Sequence, residues 1–268
     1  MIDNFEFKDR YDCADFVKII SILRAPGGCP WDIEQTHESI RQDLIEECYE
    51  VIEAINKKSP EMLREELGDV LLQVVFHADI ARADGQFDFN DVCDEVAKKM
   101  IIRHPHVFGE TKAETSEQVL TNWDAIKMQT HSQKTVSEVI DKIPREFPAL
   151  IRAQKVQKKA AKAGFDWDDV SGALDKVHEE TEEVRKAIEG KNKDEILDEV
   201  GDLFFASVNV ARFAGVSSEE ALTGATDKFA RRFALVEKLA LERGIDMKTA
   251  GIEALDALWD EVKAEEKK

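Results

Sequence analysis

An internal repeat constrains the fold of this chain more than any other feature of its sequence. Residues 46–76 align without a gap with residues 179–209, at an offset of 133 residues, and eleven of the thirty-one aligned positions are identical. A segment repeated in this way marks a structural unit that has been duplicated. We therefore predict a first copy at residues 1–130 and a second copy at residues 149–268. Residues 131–148, a polar segment with two prolines, are predicted to link the copies.

The apolar residues of both copies recur with the period of an amphipathic helix. No stretch alternates apolar and polar residues as a half-buried strand does, and glycine and proline are sparse, at 13 and 6 residues. The sequence therefore predicts an all-α fold of tandem duplicated helical-bundle domains, with helices paired through short loops. The predicted helices span residues 13–24, 38–56, 61–83 and 90–103 in the first copy, and 148–163, 171–189, 193–213, 218–243 and 252–265 in the second.

Acidic residues stand in pairs, three positions apart, on two consecutive helices of the repeat. In the first copy Glu47 lies at the border of the apolar stripe, and Glu50 follows one turn later on the same side. The next helix carries Glu66 and Asp69 at the same spacing. Because residues three apart share a helix face, the four carboxylates are predicted to face one another across a helix hairpin. The corresponding residues of the second copy are Glu180, Glu183, Glu199 and Asp202.

The setting of these carboxylates predicts a metal site. The helix that carries Asp69 is apolar almost all round from Gly68 to Ala78, which predicts that this part is buried, and an unpaired buried carboxylate is costly. Carboxylate oxygens suit a hard cation such as Mg²⁺ or Mn²⁺. Zinc and di-iron sites use cysteine or histidine ligands that this pattern lacks. Since Mg²⁺ usually shares its ligand shell with substrate phosphates, a nucleotide or another phosphorylated substrate is expected.

A solvated acidic helix face, on a helical scaffold without activity, is the plain alternative for the same residues. Solvated positions have drifted between the copies, as at Ile52 and Arg185. Both acidic pairs, by contrast, are kept at identical spacing. The repetition therefore favours metal binding.

Charge and cysteine content narrow the class of protein further. The formal net charge of -19 argues against broad binding to nucleic acid or to an anionic membrane, although one basic pocket with a bound cation could still hold a triphosphate. The four cysteines form no CxxC pair, which is typical of free thiols in a reducing compartment. The N-terminal residues lack the apolar core of a signal peptide, and the longest apolar runs are far short of a membrane span. A cytoplasmic protein is expected.

These motifs resemble those of the MazG family of nucleoside triphosphate pyrophosphohydrolases. The mark of that family is Glu-x-x-Glu followed, after a short helical hairpin, by Glu-x-x-Asp, and two-domain members have this tandem layout. The segments GGCPWDIEQT at 27–36, RAQKVQKKA at 152–160 and KFARRF at 228–233 also look like the family. The resemblance implies a helical enzyme that uses Mg²⁺ to convert a nucleoside triphosphate to the monophosphate and pyrophosphate. It also implies a homodimer.

Carried over to this sequence, the resemblance makes the four acids of each copy Mg²⁺ ligands and adds residues that bind the substrate. Lys228 and Arg232, one helical turn apart, match positions that contact the triphosphate. Trp259 matches an aromatic residue that stacks on the base, for which a tryptophan packed against other helices is the alternative. The other candidates for substrate binding are Lys176, Glu179, Lys263, Lys99 and Arg103.

The second copy is the favoured catalytic one. The first copy keeps Trp123 and Lys127, but it has Ile102 where the second copy has Arg231 and where the family commonly has a basic residue. In at least some two-domain members of the family only the second copy is catalytic. The HPH sequence at 104–106 of the first copy is interpreted as a proline-constrained loop rather than a metal site.

The resemblance implies that water attacks the α-phosphorus in line, while Lys228 and Arg232 hold the leaving pyrophosphate. Glu179 is one candidate for the general base, which stays unassigned. Two other functions stay open: a narrower pyrophosphatase for dUTP, dCTP or a modified nucleotide, and a non-catalytic nucleotide-binding or interaction module. Such a module predicts a broken acidic quartet or a missing basic pair in both copies, and neither occurs.

Overall fold

The computed structural model describes residues 5–109, 115, 118, 119 and 135–266. Every regular element within these residues is an α-helix, so the predicted all-α class is confirmed. The helices before residue 110 are α1 (Cys13–Arg24), α2 (Pro30–Glu34), α3 (Arg41–Lys57), α4 (Pro60–Ala83), α5 (Phe89–Arg103) and α6 (Pro105–Phe108). Those after residue 134 are α7 (Val136–Asp141), α8 (Ala149–Lys162), α9 (Val170–Gly190), α10 (Lys193–Phe213), α11 (Ser218–Glu242) and α12 (Ile252–Glu265).

The chain divides into two compact units, Met1–His131 and Ser132–Lys268. Each unit is organised around one long helix hairpin, α3 with α4 in the first and α9 with α10 in the second. The two hairpins contain the repeated segments, so the repeat found in the sequence is also a repeat of structure. The domain boundaries given above stay a prediction.

The hairpin turns have the same backbone conformation in both units. Lys58 and Lys191, which are equivalent in the repeat, both adopt the left-handed conformation, with φ of 52° and 56°. Each lysine ends the first helix of its hairpin, and the next residue caps the second helix: the side chain of Ser59 accepts from the Met62 N–H, and that of Asn192 from the Asp194 N–H. These side chains satisfy N–H groups that the first turn of a helix leaves free.

In the first unit, α1 packs against the C-terminal half of α4 and closes a small apolar core. Burial of side chains of this size contributes about 1.5–3 kcal/mol each. Below the core, the Nε of Arg24 donates to Asp79 Oδ2 at 3.1 Å, and both side chains are almost fully buried. The core consists of Ile20, Ile40, Val75, Phe76 and Ile80.

In the second unit, α8 lies against α10 and α11 and is attached to them by two buried glutamines. Gln154 Nε2 donates to the Val216 carbonyl oxygen at 2.8 Å, and its Oε1 accepts from the Ser218 N–H at 3.1 Å. Gln157 Nε2 donates to the Phe205 carbonyl oxygen at 2.7 Å. The two bonds of Gln154 satisfy main-chain groups at the connection between α10 and α11, and the bond of Gln157 reaches a carbonyl inside α10.

The last two helices, α11 and α12, form a separate antiparallel contact in the second unit. Its buried residues lie at helical spacing on both helices, which is how an amphipathic pair buries its apolar stripes. Trp259 is half-buried and packs against this cluster. The cluster consists of Val236, Ala240, Leu258 and Val262.

Three short helices lie in segments predicted to be irregular. Helix α7 lies inside the predicted linker, and α2 and α6 lie in the loops at GGCPW and HPH. Pro30 and Pro105 stand at the first helical positions of α2 and α6, where a missing N–H costs nothing and the fixed φ favours a helix. The proline that predicts a loop at 104–106 therefore begins one helical turn instead.

Helix α3 starts at Arg41 rather than at residue 38 as predicted. The preceding residues form a turn, because the Thr36 N–H donates to Ser39 Oγ and the Ser39 N–H donates to Thr36 Oγ1. Such side-chain bonds compete with the helix for backbone groups. The other eight predicted helices begin and end within two residues of the observed bounds.

All four cysteines are free thiols. Among the described residues, no helix is long and apolar enough to cross a membrane.

Candidate functional site

Three carboxylates converge on the inner side of each hairpin. In the first unit these are Glu47 from α3 with Glu66 and Asp69 from α4, and one ligand oxygen of each lies within 4.8 Å of those of the other two. The second unit repeats the arrangement with the same limit, from Glu180 on α9 and from Glu199 and Asp202 on α10. Among the described residues, two acidic groups, one in each copy, could thus hold a metal ion.

The fourth predicted acid lies beside each group rather than inside it. Glu50 is exposed, and after burial its carboxylate is the next cause that raises the pKa of Glu66. In the second unit, the neighbouring Glu180 carboxylate is the main cause that raises the pKa of Glu183. Both acids are therefore close enough to interact electrostatically with the carboxylates of the group. A shared proton or a cation would relieve the repulsion between these negative charges.

Glu180 is the most constrained residue of the second group. Its side chain is only 4% exposed, and Lys176 Nζ lies 2.5 Å from its Oε1. Its other oxygen, Oε2, is buried and has no hydrogen-bond partner among the described residues. A buried carboxylate oxygen without a donor costs free energy. Its proximity to the Glu199 and Asp202 oxygens makes a cation the partner that the chemistry of this site fits best.

The acidic residues are less buried than the sequence predicts. Asp69 is half-buried and Asp202 is exposed, and Gly68 and Leu71 on the apolar stretch of α4 are exposed too. The prediction that burial extends from Gly68 to Ala78 is therefore wrong for its first half. The physical reason is that the residues of α4 that pack in the core with α1 begin only at Leu72.

The two acidic groups differ in the charge of one neighbouring residue. Lys176, one turn before Glu180, is equivalent in the repeat to Asp43, one turn before Glu47. Burial first, and then Asp69, Glu50 and Asp43, raise the pKa of Glu47. In the second unit, by contrast, the hydrogen bonds of Lys176 to Glu180 and Glu179 raise the pKa of that lysine. Among the described residues, further acids therefore surround Glu47 of the first group, whereas a lysine pairs with Glu180 of the second.

Several predicted substrate-binding residues lie on α9 and α11 of the second unit. Glu179 is exposed on α9 and pairs with Lys176 at 3.0 Å. Lys228 is exposed on α11, and neither it nor Arg232 forms an ion pair with the acidic group in the part of the chain that the structure describes. Arg232 instead pairs with Glu266, its Nε lying 2.8 Å from Oε2.

Trp259 and Lys263 both lie on α12, and Trp259 lies near this arginine. The Arg232 Cζ is 5.9 Å from the centre of the Trp259 ring, and the ring of Phe229 is 5.2 Å from it at an angle of 40°. Lys263 Nζ pairs with Asp260 at 3.2 Å. Trp259 packs against the α11–α12 core, as the alternative interpretation predicts. Its ring is also partly exposed, so part of it is accessible to a ligand.

The candidates of the first unit are only partly described. Lys99 is exposed and Arg103 is half-buried, both on α5. Ile102, where the second copy has Arg231, is exposed on the same helix. Trp123 and Lys127 lie outside the described residues.

Two residues of this region make contacts that the sequence pattern does not indicate. Glu266 belongs to a charged C-terminal run that is typical of a solvated tail, and nothing in its spacing indicates the contact with Arg232. Phe229 stands between Lys228 and Ala230 in KFARRF, but its contact with Trp259 joins two helices. A contact between helices of unknown packing leaves no periodic signal in one sequence.

Comparisons with known proteins find the same repeat in the sequence. The sequence pattern of the MazG nucleotide pyrophosphohydrolase domain matches the chain twice, at residues 35–108 and 164–236. Each match contains one helix hairpin and its acidic group. The resemblance drawn from the motifs is therefore confirmed.

Whole-chain relatives are similar over nearly the full length. The nucleoside triphosphate pyrophosphohydrolase of Escherichia coli K12 is 46% identical over 253 residues, which cover 92% of this chain and 95% of that protein. The nucleoside triphosphate pyrophosphohydrolase/pyrophosphatase MazG of Thermotoga maritima is 45% identical over 249 residues, or 93% of this chain and 94% of that protein. The Bacillus subtilis protein YabN is 45% identical over 96% of this chain, which spans 53% of YabN. From the two domain matches and these relatives, the chain belongs to the MazG nucleotide pyrophosphohydrolase family.

Proposed function

We propose that this protein hydrolyses nucleoside triphosphates to nucleoside monophosphates and pyrophosphate, with broad specificity for the base. The acidic group of the second copy would hold the Mg²⁺. The observation that carries the proposal is the buried Oε2 of Glu180, which has no hydrogen-bond partner among the described residues and adjoins two further carboxylates. The names of the E. coli and T. maritima relatives support the same reaction.

The residues of the second group fit a hard divalent ion. Glu180, Glu199 and Asp202 supply oxygen atoms within 4.8 Å of one another, and Glu183 lies at the edge of the group. Carboxylate oxygens are the ligands that Mg²⁺ prefers, and it tolerates a shell completed by water and phosphate. Mn²⁺ is accommodated by the same ligands. When bound, the ion would lower the pKa of a coordinated water and neutralise phosphate charge.

The remaining residues supply binding and orientation. Lys228 and Arg232 stand one turn apart on α11 and present two cations that would contact phosphate oxygens. The exposed part of the Trp259 ring would stack on the base, an interaction that every base can make. Glu179 lies on α9 beside Glu180 and pairs with Lys176, so it is within the same polar region. It remains one candidate for the base that takes the proton from water.

The second copy is favoured over the first for an electrostatic reason as well. Lys176 offsets part of the negative charge that would repel a triphosphate from the acidic group. In the first copy Asp43 stands at the equivalent position and adds to that charge. The first copy also has Ile102 in place of Arg231. We therefore assign the chemistry to the second copy.

Pyrophosphate release from a panel of ribo- and deoxynucleoside triphosphates tests this function. The double variant Glu180→Ala with Glu183→Ala should lose at least about 100-fold in rate, because several kcal/mol of transition-state stabilisation are removed. The double variant Glu47→Ala with Glu50→Ala should keep most of the activity. Activity with one base only would favour the narrower pyrophosphatase.

Matched controls separate loss of ligands from loss of charge. Asp175→Ala with Glu189→Ala removes two exposed acids from α9, and Glu46→Ala with Glu53→Ala removes two from α3. Both should leave the rate near that of the wild type. Equal loss in the two ligand variants would contradict the preference for the second copy, and release of orthophosphate in place of pyrophosphate would refute the reaction.

We also propose that two copies of the chain associate in the cytoplasm. Leu197 and Phe204 lie seven residues apart on one face of α10 and are 76% and 60% exposed, and Leu67 on α4 is 52% exposed. Apolar side chains clustered on a helix face favour association. A homodimer, as the sequence resemblance implies, would cover these faces.

A further inference from the structure

Glu266 holds both arginines of the KFARRF segment. Its Oε2 accepts from the Nε of Arg232 at 2.8 Å, and its Oε1 accepts from the Nε and Nη2 of Arg231 at 3.1 and 2.9 Å. The contact joins the end of α12 to the middle of α11, about one turn after Lys263. The two arginines lower the pKa of Glu266, so the carboxylate is ionised when it makes these bonds.

The two arginines are used differently by this carboxylate. Arg231 turns one full edge of its guanidinium, Nε with Nη2, towards Glu266 and is 63% exposed. Arg232 uses only its Nε, is 21% exposed and lies near the Trp259 ring. Within the described residues, neither Nη atom of Arg232 has a hydrogen-bond partner. The two Nη atoms of Arg232 are thus available to donate to another acceptor.

A guanidinium binds phosphate well through two parallel N–H groups, provided that the planar group is held in the right orientation. A long side chain that is free to rotate loses conformational entropy when it binds. A carboxylate that fixes Nε removes part of this cost beforehand, as hydrogen-bond partners of ligand-binding residues generally do.

We propose that Glu266 is a positioning residue, which orients the terminal Nη edge of Arg232 towards the phosphates of the substrate. The inference rests on the proposed function, in which Arg232 contacts the triphosphate. It adds a residue outside both matched domain segments, at the C-terminal end of α12. The sign of the effect distinguishes it from simple competition. A competing carboxylate would weaken phosphate binding, whereas a positioning one strengthens it.

Calorimetric binding of inorganic tripolyphosphate to the full-length chain without divalent ions tests the inference directly. Glu266→Ala should raise the dissociation constant about three- to tenfold, since Arg232 loses its fixed orientation. Glu266→Gln keeps an acceptor oxygen for the Nε and should restore part of the affinity. In pyrophosphate release, Glu266→Ala should raise KM for ATP by a similar factor.

Glu261→Ala is the matched control. It removes one carboxylate from the same helix and breaks that residue's pair with Arg243, at 2.7 Å, without touching Arg231 or Arg232. Its dissociation constant for tripolyphosphate should stay at or below that of the wild type, because only a negative charge has been removed. Thermal unfolding of both variants shows whether either change disturbs the fold.

A double-mutant cycle decides whether Glu266 acts through Arg232. In an Arg232→Ala background, Glu266→Ala should produce no further loss of tripolyphosphate binding. An unchanged or lower dissociation constant in Glu266→Ala would overturn the inference, as would an equal loss in the presence and absence of Arg232. Absence of pyrophosphate release by the wild type would refute the proposed function instead, and the tripolyphosphate measurement would still decide the role of Glu266.

Discussion

At the scale of single residues, the two hairpin turns store backbone strain at Lys58 and Lys191. Both lysines have φ above 50°, in a region that costs residues with a Cβ about 1–2 kcal/mol. Glycine adopts this conformation without the cost, although it gains entropy in the unfolded chain. The two lysines are equivalent positions of the duplicated segment. The sequence repeat by itself does not predict that their backbone is strained.

Lys191→Gly should therefore stabilise the protein by about 0.5–1 kcal/mol, the net of relieved strain and added unfolded-state entropy. Lys186→Gly, at an exposed position inside α9, should destabilise it by about 1 kcal/mol. Urea unfolding of the two variants measures both changes. A loss of stability in Lys191→Gly would contradict the assignment of strain to the turn.

His77, which pairs with His37, makes stability depend on pH. Their Nδ1 atoms are 2.8 Å apart and the rings are stacked, so one nitrogen must donate and the other accept. Burial, and then His37, lower the pKa of His77 below its usual value. A depressed histidine pKa means that the unfolded chain takes up a proton more readily than the folded one. Stability should thus fall as the pH drops below about 6.5 towards the folded pKa.

His77→Gln removes this titration and should lose less stability than the wild type between pH 7.5 and pH 5.5. The measurement is the urea midpoint of both proteins at the two pH values. The difference between them excludes contributions from the carboxylates, which both proteins share. Equal losses would show that His77 does not carry the effect.

At the scale of elements, the second helix of each hairpin forms an ion pair with another part of its unit. The helix supplies the acid in the first unit and the base in the second. In the first unit Asp79 on α4 binds Arg24 from α1. In the second, the equivalent position on α10 is Arg212, whose Nη1 donates to Asp166 at 2.9 Å. The second pair is also more exposed, with side chains at 11% and 25%. The equivalent positions Asp79 and Arg212 thus both form an ion pair with exchanged charges, but their partners come from different elements, the end of α1 and the loop before α9.

Asp79→Ala should cost about 3–5 kcal/mol, because it leaves the buried Arg24 without its partner. Asp166→Ala should cost less, about 1–2 kcal/mol, since water reaches Arg212 more easily. Chemical unfolding of both variants gives the comparison, and Arg24→Met with Asp79→Leu should recover most of the loss in the first unit. An equal cost for the two single variants would contradict the difference in burial.

The helices and the acidic residues were within reach of the sequence because both rest on local spacing. A period of 3.6 residues sets each long helix, and the distance of three residues sets which carboxylates share a face. The fine packing was not within reach. The exposure of Asp202, the hold of Glu266 on Arg232 and the coverage of α4 by α1 all depend on how helices lie against one another. One sequence does not specify these contacts locally.

At the scale of the whole molecule, the exposed apolar faces of the hairpins predict that the chain is not monomeric. Sedimentation equilibrium should give about twice the chain mass of 30.3 kDa. Phe204→Glu places a charge on the exposed apolar face of α10 and should shift the mass towards one chain. Glu189→Lys, at an exposed polar position of α9, is the control that should leave the mass unchanged. A wild type of single-chain mass would contradict the homodimer.

We propose that this chain breaks the bond between the α- and β-phosphates of a nucleoside triphosphate by attack of water on the α-phosphorus. Hydrolysis of ATP in ¹⁸O-labelled water with Mg²⁺, followed by mass analysis of the products, distinguishes this site of attack from the others. The label should appear in AMP, with unlabelled pyrophosphate as the other product. Label in pyrophosphate, or ADP and labelled orthophosphate as the products, would contradict the claim.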